Sequence, residues 1–457
     1  MKTIYLLLSI LCCSSAIARD PNFIIIFTDD QGYGDLGCFG SKTIKTPHLD
    51  QLAAEGLKLT DFHVPSPVCS PSRAGLLTGC YPKRVGMHRH VVFPKNTYGL
   101  HPDELTIADH LKANGYATAC VGKWHLGHVP QTLPTANGFD SYFGIPYSND
   151  MSHPDNKGKP RMSQDESWQN QDKFSPLWKT PLMRGKKIIE VPVNQRTITR
   201  RYTDEAINFV TKNKDKPFFL YLPHSMPHIP LYVPDDVLDP DPANAYKCII
   251  EHIDAECGRI FKTIKDLKLE KDTYIIFTTD NGPWLQFKNH GGSAGPLRAG
   301  KGTTFEGGQR VPFIISRPGT IPAGKSSAEL VSSIDLLPTI ATLSGHPLKA
   351  KNKIDGLDAT EVFTKTKPSP RNEFLHYTSN GKLEGIRQDN WKLLQKLPHH
   401  KSKNKKTTTM LFNLKTDLGE QNNIAEKHPE IVTKLSNRMQ ELDTEITKNA
   451  RPVFGKR

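Results

Sequence analysis

The sequence predicts an α/β fold with a mostly parallel central sheet, plus a smaller C-terminal α+β subdomain with an antiparallel sheet. Two observations lead to this fold class. Helix-like and strand-like segments alternate through most of the chain, and short strands with one closing helix replace them near the end. The 457 residues can bury a large core, and a composition of 37% hydrophobic and 23% charged residues is ordinary for a globular protein.

Continuous apolar runs mark the predicted parallel strands. Residues 23–27 (Phe-Ile-Ile-Ile-Phe) end in Asp29 and Asp30, which is typical of a strand buried on both faces. Helix followed by strand, repeated, predicts a parallel sheet covered on both sides, whose ligands gather at the carboxyl ends of the strands. The predicted helix and strand pairs are 106–114 with 117–121, 203–212 with 218–222, and 249–267 with 274–278.

The pattern changes after a polar stretch at 346–353. Short strand-like runs follow, and they indicate a small antiparallel sheet that packs against a helix. We therefore divide the chain into a leader (1–18), a main domain (19–350) and a C-terminal subdomain (351–457). The predicted elements of the last part are strands at 385–387, 391–394 and 410–414 and a helix at 428–448.

The first residues have the parts of a secretory signal. Lys2 precedes an apolar run at 4–13, and Ala16-Ile17-Ala18 is a small-residue exit, so cleavage is expected after Ala18. A buried N-terminal helix is the alternative interpretation. We expect export to a bacterial periplasm or to the medium. Since no later run is long enough to span a bilayer, no membrane span is expected.

The net charge of +13 favours an acidic partner, which could be nucleic acid, anionic lipid or a sulfated or phosphorylated polymer. The densest basic run, at 401–406, is interpreted as a solvated hairpin loop. The cysteines are too sparse for a disulfide scaffold and include no C-x-x-C pair. The segment from Asn149 to Gln195 has little periodicity and is expected to be a long surface excursion near the site.

Oxygen ligands follow two of the predicted strands. Asp29 and Asp30 come after the first, and Asp280 and Asn281 come after the run at 274–278. In a parallel sheet these ends can converge on one cation, and carboxylate and amide oxygens suit Ca²⁺ better than zinc. Mg²⁺ is a less favoured choice. Each pair taken alone would more often open a turn or cap a helix.

Residues 69–73 (Cys-Ser-Pro-Ser-Arg) resemble the signature of the type I sulfatases, in which the cysteine is oxidised to formylglycine, also called 3-oxoalanine. The resemblance extends over nearly the whole chain, in the family's order. It is strongest to the arylsulfatase A and galactosamine-sulfatase branch and to marine bacterial enzymes that desulfate galactans of the carrageenan type. The further segments that carry it are 29–35, 122–127, 144–148, 228–230, 280–282 and 300–304.

This resemblance implies an alkaline-phosphatase-like α/β/α sandwich and the hydrolysis of sulfate esters. It also implies bound Ca²⁺ and a formylglycine at residue 69, made by a formylglycine-generating or an anaerobic sulfatase-maturating enzyme. The expected substrate is a sulfated carbohydrate with galactose-type sugars, and no nucleic acid partner is expected. Loops at His88 to His90, Asn149 to Gln195 and His399-His400 are expected to border the sugar.

Residue roles follow from the same resemblance. Asp29, Asp30, residue 69, Asp280 and Asn281 are the implied metal ligands. Hydrated formylglycine would attack sulfur, with Asp280 helping to take its proton. Arg73 would hold the hydrated group, and Lys123 and Lys301 would bind the sulfate. His125 would act as the base in the step that releases sulfate. His228 is the expected acid for the leaving alcohol, His224 is its rival or a substrate contact, and Ser148 is a further substrate contact.

Two other functions remain open at this point. A phosphatase or phosphodiesterase of the same superfamily would use an unmodified Ser or Thr and typically two zinc ions, so the cysteine at position 69 argues against it. A secreted polyanion-binding protein on an inactive sulfatase fold is the alternative of another class. The intact set of metal and clamp residues argues against that second alternative. Asn149 stands where a histidine is expected in the nearest relatives, which puts local substrate contacts in doubt.

Overall fold

The computed structural model describes residues 19–151, 179–396 and 407–456. The predicted leader, residues 152–178 of the predicted excursion, the run at 401–406 and His399-His400 lie outside the described residues. The strands are β1 Asn22–Thr28, β2 Leu57–His63, β3 Ala117–Val121, β4 Ser141–Gly144, β5 Leu182–Arg184, β6 Lys187–Glu190, β7 Phe218–Pro223, β8 Thr273–Thr279, β9 Arg310–Ser316, β10 Lys325–Ser327, β11 Val331–Ser332, β12 Glu373–Tyr377, β13 Leu383–Gln388, β14 Trp391–Lys396 and β15 Thr408–Asn413.

The α-helices flank these strands. Helix α3 (Ile107–Ala113) begins with a capping box: the Thr106 side chain accepts a hydrogen bond from the Asp109 backbone N–H, and the Asp109 carboxylate accepts one from the Thr106 backbone N–H. The helices are α1 Pro47–Ala54, α2 Cys69–Thr78, α3 Ile107–Ala113, α4 Ile198–Lys212, α5 Ala245–Asp266, α6 Glu306–Gln309, α7 Leu336–Leu343, α8 Thr360–Lys365 and α9 Pro429–Lys448.

The main sheet confirms the predicted fold class. Within the described residues it has 11 strands in the order β10-β2-β9-β8-β1-β7-β3-β4-β5-β6, with β11 also paired to β2. The central strands β8, β1, β7 and β3 pair in parallel, whereas β9 runs antiparallel to β8 and β2. The carboxyl ends of four adjacent parallel strands therefore meet at one edge.

Strand β1 is buried on both faces, as its continuous apolar run predicts. Phe23, Ile25 and Phe27 pack into one core cluster, while Ile24 and Ile26 pack into another on the opposite face of the sheet. Because successive side chains of a strand point to opposite faces, a strand covered by helices on both sides must be apolar at every position.

The C-terminal part contains an antiparallel sheet in the order β12-β13-β14-β15, and α9 packs against it, as predicted. Leu435 and Met439 of α9 share a core cluster with Phe374, Ile386 and Leu393 of the sheet. In the described part of the chain, no helix is long and apolar enough to cross a membrane.

Candidate active site

The site lies where four neighbouring parallel strands end. This position follows from the topology, since a parallel sheet directs the loops after its strands to one edge. The residues that follow β1, β3, β7 and β8 at this edge are Asp29 and Asp30, Lys123 and His125, His224 and His228, and Asp280 and Asn281, respectively.

Cys69 is the first residue of helix α2, which is buried along its whole length and closes onto Gly79 in a left-handed conformation. Its thiol donates to Asp29 Oδ1 at 3.6 Å and accepts from Lys301 Nζ at 3.8 Å. Burial and the charge of Asp29 raise the pKa of this thiol well above its ordinary value. Backbone N–H groups at a helix N-terminus favour negative charge, so residue 69 stands where an anion is stabilised.

Arg73 joins two of the strand ends. Its Nε and Nη2 donate to Asp280 Oδ2 at 3.0 and 2.8 Å, and Nη2 also donates to Asp29 Oδ2 at 3.1 Å. The Nη1 atom donates to the Lys123 carbonyl oxygen at 2.7 Å. Burial lowers the pKa of the guanidinium, but Asp280 and Asp29 outweigh it and raise the pKa above its ordinary value. Arg73 thus remains charged and fixes three segments together.

Two lysines also donate hydrogen bonds to carboxylates of the site. Lys123 Nζ donates to Asp29 Oδ2 and, at 3.1 Å, to Ser148 Oγ. Lys301 Nζ donates to Asp30 Oδ2 at 2.6 Å. Both ammonium groups lie among buried oxygens, where an added sulfate could accept hydrogen bonds from them.

The acidic residues form a group that can hold a hard cation. Asp30 accepts from Asn281 Nδ2 at 2.7 Å, and its own backbone N–H donates to Asp280 Oδ1 at 3.2 Å. One ligand atom each from Asp29, Asp30, Cys69 and His228 lies within 4.8 Å of the others. Burial raises the pKa of Asp30 to about 7, even with Lys301 opposing it.

The fit to a cation rests on Asn281. Its Oδ1 is buried and has no hydrogen-bond partner within the described residues. A buried amide oxygen without a partner is costly, and a metal ion beside three carboxylates would satisfy it. The donor set is dominated by oxygen, as Ca²⁺ prefers.

The three predicted histidines occupy different positions. His125 donates from Nε2 to the Val92 carbonyl oxygen at 3.1 Å, while its buried Nδ1 has no partner in the described chain. His228 Nε2 lies 3.6 Å from Asp30 Oδ2, and Nδ1 donates to the Ile229 carbonyl oxygen at 2.5 Å. The pKa values of both are well below the ordinary value, first because of burial and then because of nearby lysines.

The structure does not bring His224 into the charged group by any hydrogen bond. Its ring lies 6.3 Å from that of Tyr202, and neither ring nitrogen has a hydrogen-bond partner among the described residues. Burial and the neighbouring His252 lower the pKa of His224 to about 3, so its imidazole is neutral.

Asn149, in the segment after β4, contacts the segment that carries His228. Asn149 Nδ2 donates to the carbonyl oxygens of His228 and Pro230 at 3.3 and 3.0 Å. This asparagine therefore supports the His228 segment from behind. Ser148 donates to Asp150, whose pKa is raised by burial against the charges of Lys123 and Lys301.

Sequence reasoning missed Trp284 and Asp150. Trp284 is partly exposed, its ring lies 4.2 Å from Lys301 Nζ, and its centroid is 5.5 Å from that of His228. The only signal for Trp284 was its position just after Asn281-Gly282-Pro283. Asp150 similarly adjoins Ser148 and Asn149, in a segment too irregular to predict.

The sequence profile of the family described as Sulfatase matches residues 21–346, and the profile described as N-sulphoglucosamine sulphohydrolase, C-terminal, matches 300–445. The chain belongs to the sulfatase family. Human arylsulfatase A is 40% identical over 388 residues, which span 82% of this chain and 73% of that protein. Dog N-acetylgalactosamine-6-sulfatase is 38% identical over 354 residues, 74% of this chain and 65% of that one.

Solved sulfatase structures share the fold. Ps i-CgsB in complex with k-i-k-neocarrahexaose is 31% identical, with a TM-score of 0.78 and 93% of each chain covered. The PsFucS1 sulfatase from Pseudoalteromonas sp. is 26% identical, with a TM-score of 0.79, covering 94% of this chain and 91% of that one. These matches confirm the resemblance inferred from the motifs, and this sulfatase is a sulfuric ester hydrolase.

Replacing Arg73 by Met should destabilise this sulfatase strongly. The change leaves Asp29 and Asp280 buried without their shared partner, which costs about 3–5 kcal/mol in buried ion pairs. Urea unfolding in the presence of a chelator measures the difference in free energy. The matched control is Arg184→Met, which removes an exposed pair with Glu205 and should change stability much less. Equal losses in the two variants would contradict the central place given to Arg73.

Proposed function

We propose that this sulfatase removes sulfate from galactose-type sugars of sulfated polysaccharides or glycans, using a formylglycine made from Cys69 and a bound Ca²⁺ ion. The position of Cys69 carries the proposal. Its thiol lies at a helix N-terminus between Asp29 Oδ1 and Lys301 Nζ, at 3.6 and 3.8 Å. A nucleophile at this point would have metal-holding carboxylates on one side and a sulfate-holding cation on the other.

The cation would be held by Asp29, Asp30, Asp280 and Asn281. When bound, Ca²⁺ neutralises negative charge and lowers the pKa of a coordinated hydroxyl group, and hydrated formylglycine offers a hydroxyl group to attack sulfur. Mg²⁺ is less suited because it demands a stricter octahedral arrangement.

Lys123 and Lys301 would hold the sulfate oxygens. A sulfate ester is an anion that resists attack by a second anion, so the site must neutralise charge before a bond to sulfur can form. Both lysines already contact carboxylates of the site and are nearly or fully buried. In a site from which water is excluded, each ammonium group acts more strongly on an oxygen that gains charge.

Three residues would move protons. Asp280, which Arg73 fixes by two hydrogen bonds, would accept the proton of the attacking hydroxyl group. His125 would accept the remaining hydroxyl proton when sulfate departs, since its Nε2 is committed to Val92 and its Nδ1 lone pair is free. His228, whose Nε2 lies 3.6 Å from Asp30 Oδ2, would protonate the leaving alcohol. Burial and the charges of Lys301 and Lys123 lower the pKa of its imidazole, so it would take up this proton when the anionic sulfate ester binds and offsets those charges.

The substrate class is supported by three observations. The net charge is +13, the dog relative is a sulfatase named for N-acetylgalactosamine, and Ps i-CgsB was solved with a neocarrahexaose. Ser148, which accepts a hydrogen bond from Lys123, would help to bind the sulfated group. His224 would shape the substrate subsite. At the rim, the His90 ring stacks on Phe93 with centroids 5.6 Å apart.

Location and maturation complete the proposal. The predicted leader (1–18) supports export to the periplasm or medium, and a formylglycine-generating or anaerobic sulfatase-maturating enzyme would modify Cys69. The main domain (19–350) would carry the chemistry, and the C-terminal subdomain (351–457) would support it.

Coexpression with a formylglycine-generating enzyme should convert Cys69. Peptide mass spectrometry should show a loss of about 18 Da at this residue, because the thiol becomes an aldehyde. Ion chromatography should then detect sulfate released from an aryl sulfate and from carrageenan oligosaccharides. Cys69→Ala should be inactive, whereas Cys120→Ala, another buried cysteine, should remain active.

Two outcomes would contradict this proposal separately. Full conversion of Cys69 without sulfate release from any substrate would remove the proposed reaction. An active enzyme with an unmodified Cys69 would contradict the proposed formylglycine but not the proposed sulfatase activity.

Ca²⁺ should stabilise the protein that has been stripped of metal. At about 100 times its Kd, a ligand that binds only the folded state adds ~2.7 kcal/mol to the free energy of unfolding. Asp30→Asn should abolish this increment, and the chelated enzyme should lose activity until Ca²⁺ is returned. Asp61→Asn is the control, because Asp61 is a buried carboxylate paired to Arg387 at 2.6 Å in a different cluster. Loss of the increment in both variants would contradict the assigned ligands.

Trp284→Ala should impair the hydrolysis of an oligosaccharide more than that of an aryl sulfate. A partly exposed aromatic face beside Lys301 and His228 can pack against the sugar ring, whereas a small substrate does not depend on it. The measurement is kcat/KM for both substrates, with an expected difference of about tenfold, close to 1.4 kcal/mol. Trp391→Ala, a half-buried tryptophan in β14, is the control. Equal losses on both substrates would contradict a sugar-binding role for Trp284.

A further inference from the structure

Lys301 lies on an irregular loop rather than on a helix or strand. We call residues 298–306 the Lys301 loop. Its backbone reaches the site through two hydrogen bonds: Lys301 N–H donates to the Pro283 carbonyl oxygen and Gly302 N–H to that of Pro67, both at 2.9 Å. Such a loop has no ladder of its own, so contacts at its two ends must fix where the ammonium group lies.

One residue of the C-terminal subdomain holds both ends of this loop. Arg298 Nη1 donates to the Glu420 carbonyl oxygen at 2.6 Å, and the Glu306 backbone N–H donates to Glu420 Oε2 at 2.7 Å. The ends also meet each other, because Gly307 N–H donates to the Arg298 carbonyl oxygen at 2.9 Å. Glu420 therefore binds the first and the last residue of the Lys301 loop.

Glu420 is itself tightly constrained. It is fully buried and has a positive φ of 52°. Its other oxygen pairs with Lys392 Nζ at 2.9 Å, and the same ammonium group pairs with Glu306 Oε1 at 2.7 Å. Buried charges hold their partners in one arrangement because an unpaired charge is expensive.

The carboxylates around Glu306 are neutralised by cationic side chains, without a metal ion. Asp61, His63 and Glu306 could together offer metal ligands. However, Arg310 and Arg387 pair with Asp61, while Lys392 pairs with Glu306. These ion pairs therefore connect β2 and α6 to the C-terminal sheet.

Side chains of the loop give a further attachment. The Phe305 ring is close to two cations: its centroid lies 4.0 Å from Arg298 Cζ and 4.4 Å from Lys396 Nζ. Thr304 Oγ1 donates to the Glu384 carboxylate, which also pairs with Lys396 at 3.0 Å. The C-terminal sheet thus contacts the loop at several points on one side of Lys301.

We propose that Glu420 is a positioning residue for Lys301, so that the C-terminal subdomain sets the sulfate-binding geometry of the main domain. The inference rests on the proposed role of Lys301 in holding sulfate. Glu420 does not touch the substrate; it acts by fixing the two ends of the Lys301 loop. A displacement of about 1 Å at a binding group can cost up to ~100-fold in rate.

The test uses two variants, each of which removes one attachment. Glu420→Ala removes the acceptor for Glu306 N–H and leaves Lys392 paired with Glu306. Arg298→Met removes the donor to the Glu420 carbonyl oxygen and leaves no buried charge unpaired. Both enzymes, matured with Cys69 converted, should lose about 10- to 100-fold in kcat/KM on an aryl sulfate. Inhibition by inorganic sulfate should weaken by about tenfold, a change that a purely structural role would not produce.

The matched control is Arg438→Met. Arg438 pairs with Glu373 at 2.7 Å in the same subdomain and does not contact the loop. This variant should show the thermal shift of a lost ion pair but unchanged sulfate inhibition. Wild-type sulfate inhibition in both Glu420→Ala and Arg298→Met would overturn the proposal. If Glu420→Ala fails to fold, Arg298→Met alone decides. A converted wild-type enzyme that releases no sulfate would instead overturn the proposed function.

Discussion

The buried pairing of Arg73 with Asp29 and Asp280 is the constraint on which the rest of the site depends. Two strand ends would otherwise bring carboxylates together in a medium where like charges repel strongly. The guanidinium bridges both carboxylates and also donates to the Lys123 backbone, so helix α2 and strands β1, β3 and β8 share one fixed point. Cys69 is four residues before Arg73 on that helix, and its place follows from the same contacts.

Charge balance explains why such a site can be buried. Asp29, Asp30 and Asp280 are opposed by Arg73, Lys123 and Lys301. An added divalent cation would leave the group positive, and a group of positive charge attracts a sulfate ester. The same arrangement that makes the folded state tolerable therefore prepares the site for an anion.

The C-terminal subdomain is connected to the active site by buried ion pairs. A second buried network, with Lys392 at its centre, joins the small sheet to α6 and to the loop that carries Lys301. Its contacts link residues that are more than a hundred positions apart, such as Arg298 and Glu420. The two parts of the chain are thus coupled through packing and paired charges around one active-site lysine.

Sequence by itself determined the parallel strands and the family, because continuous apolar runs and a local motif reflect burial and chemistry within a few residues. It also indicated the strand-end oxygens of Asp29 and Asp280, since parallel strands end at one edge. Helix α4 begins earlier than expected, at Ile198 rather than residue 203, because a turn capped by Asn194 leads into it. Only the tertiary structure decided which groups Trp284, Asn149 and Glu420 contact, because their partners lie on segments distant in sequence and leave no local pattern.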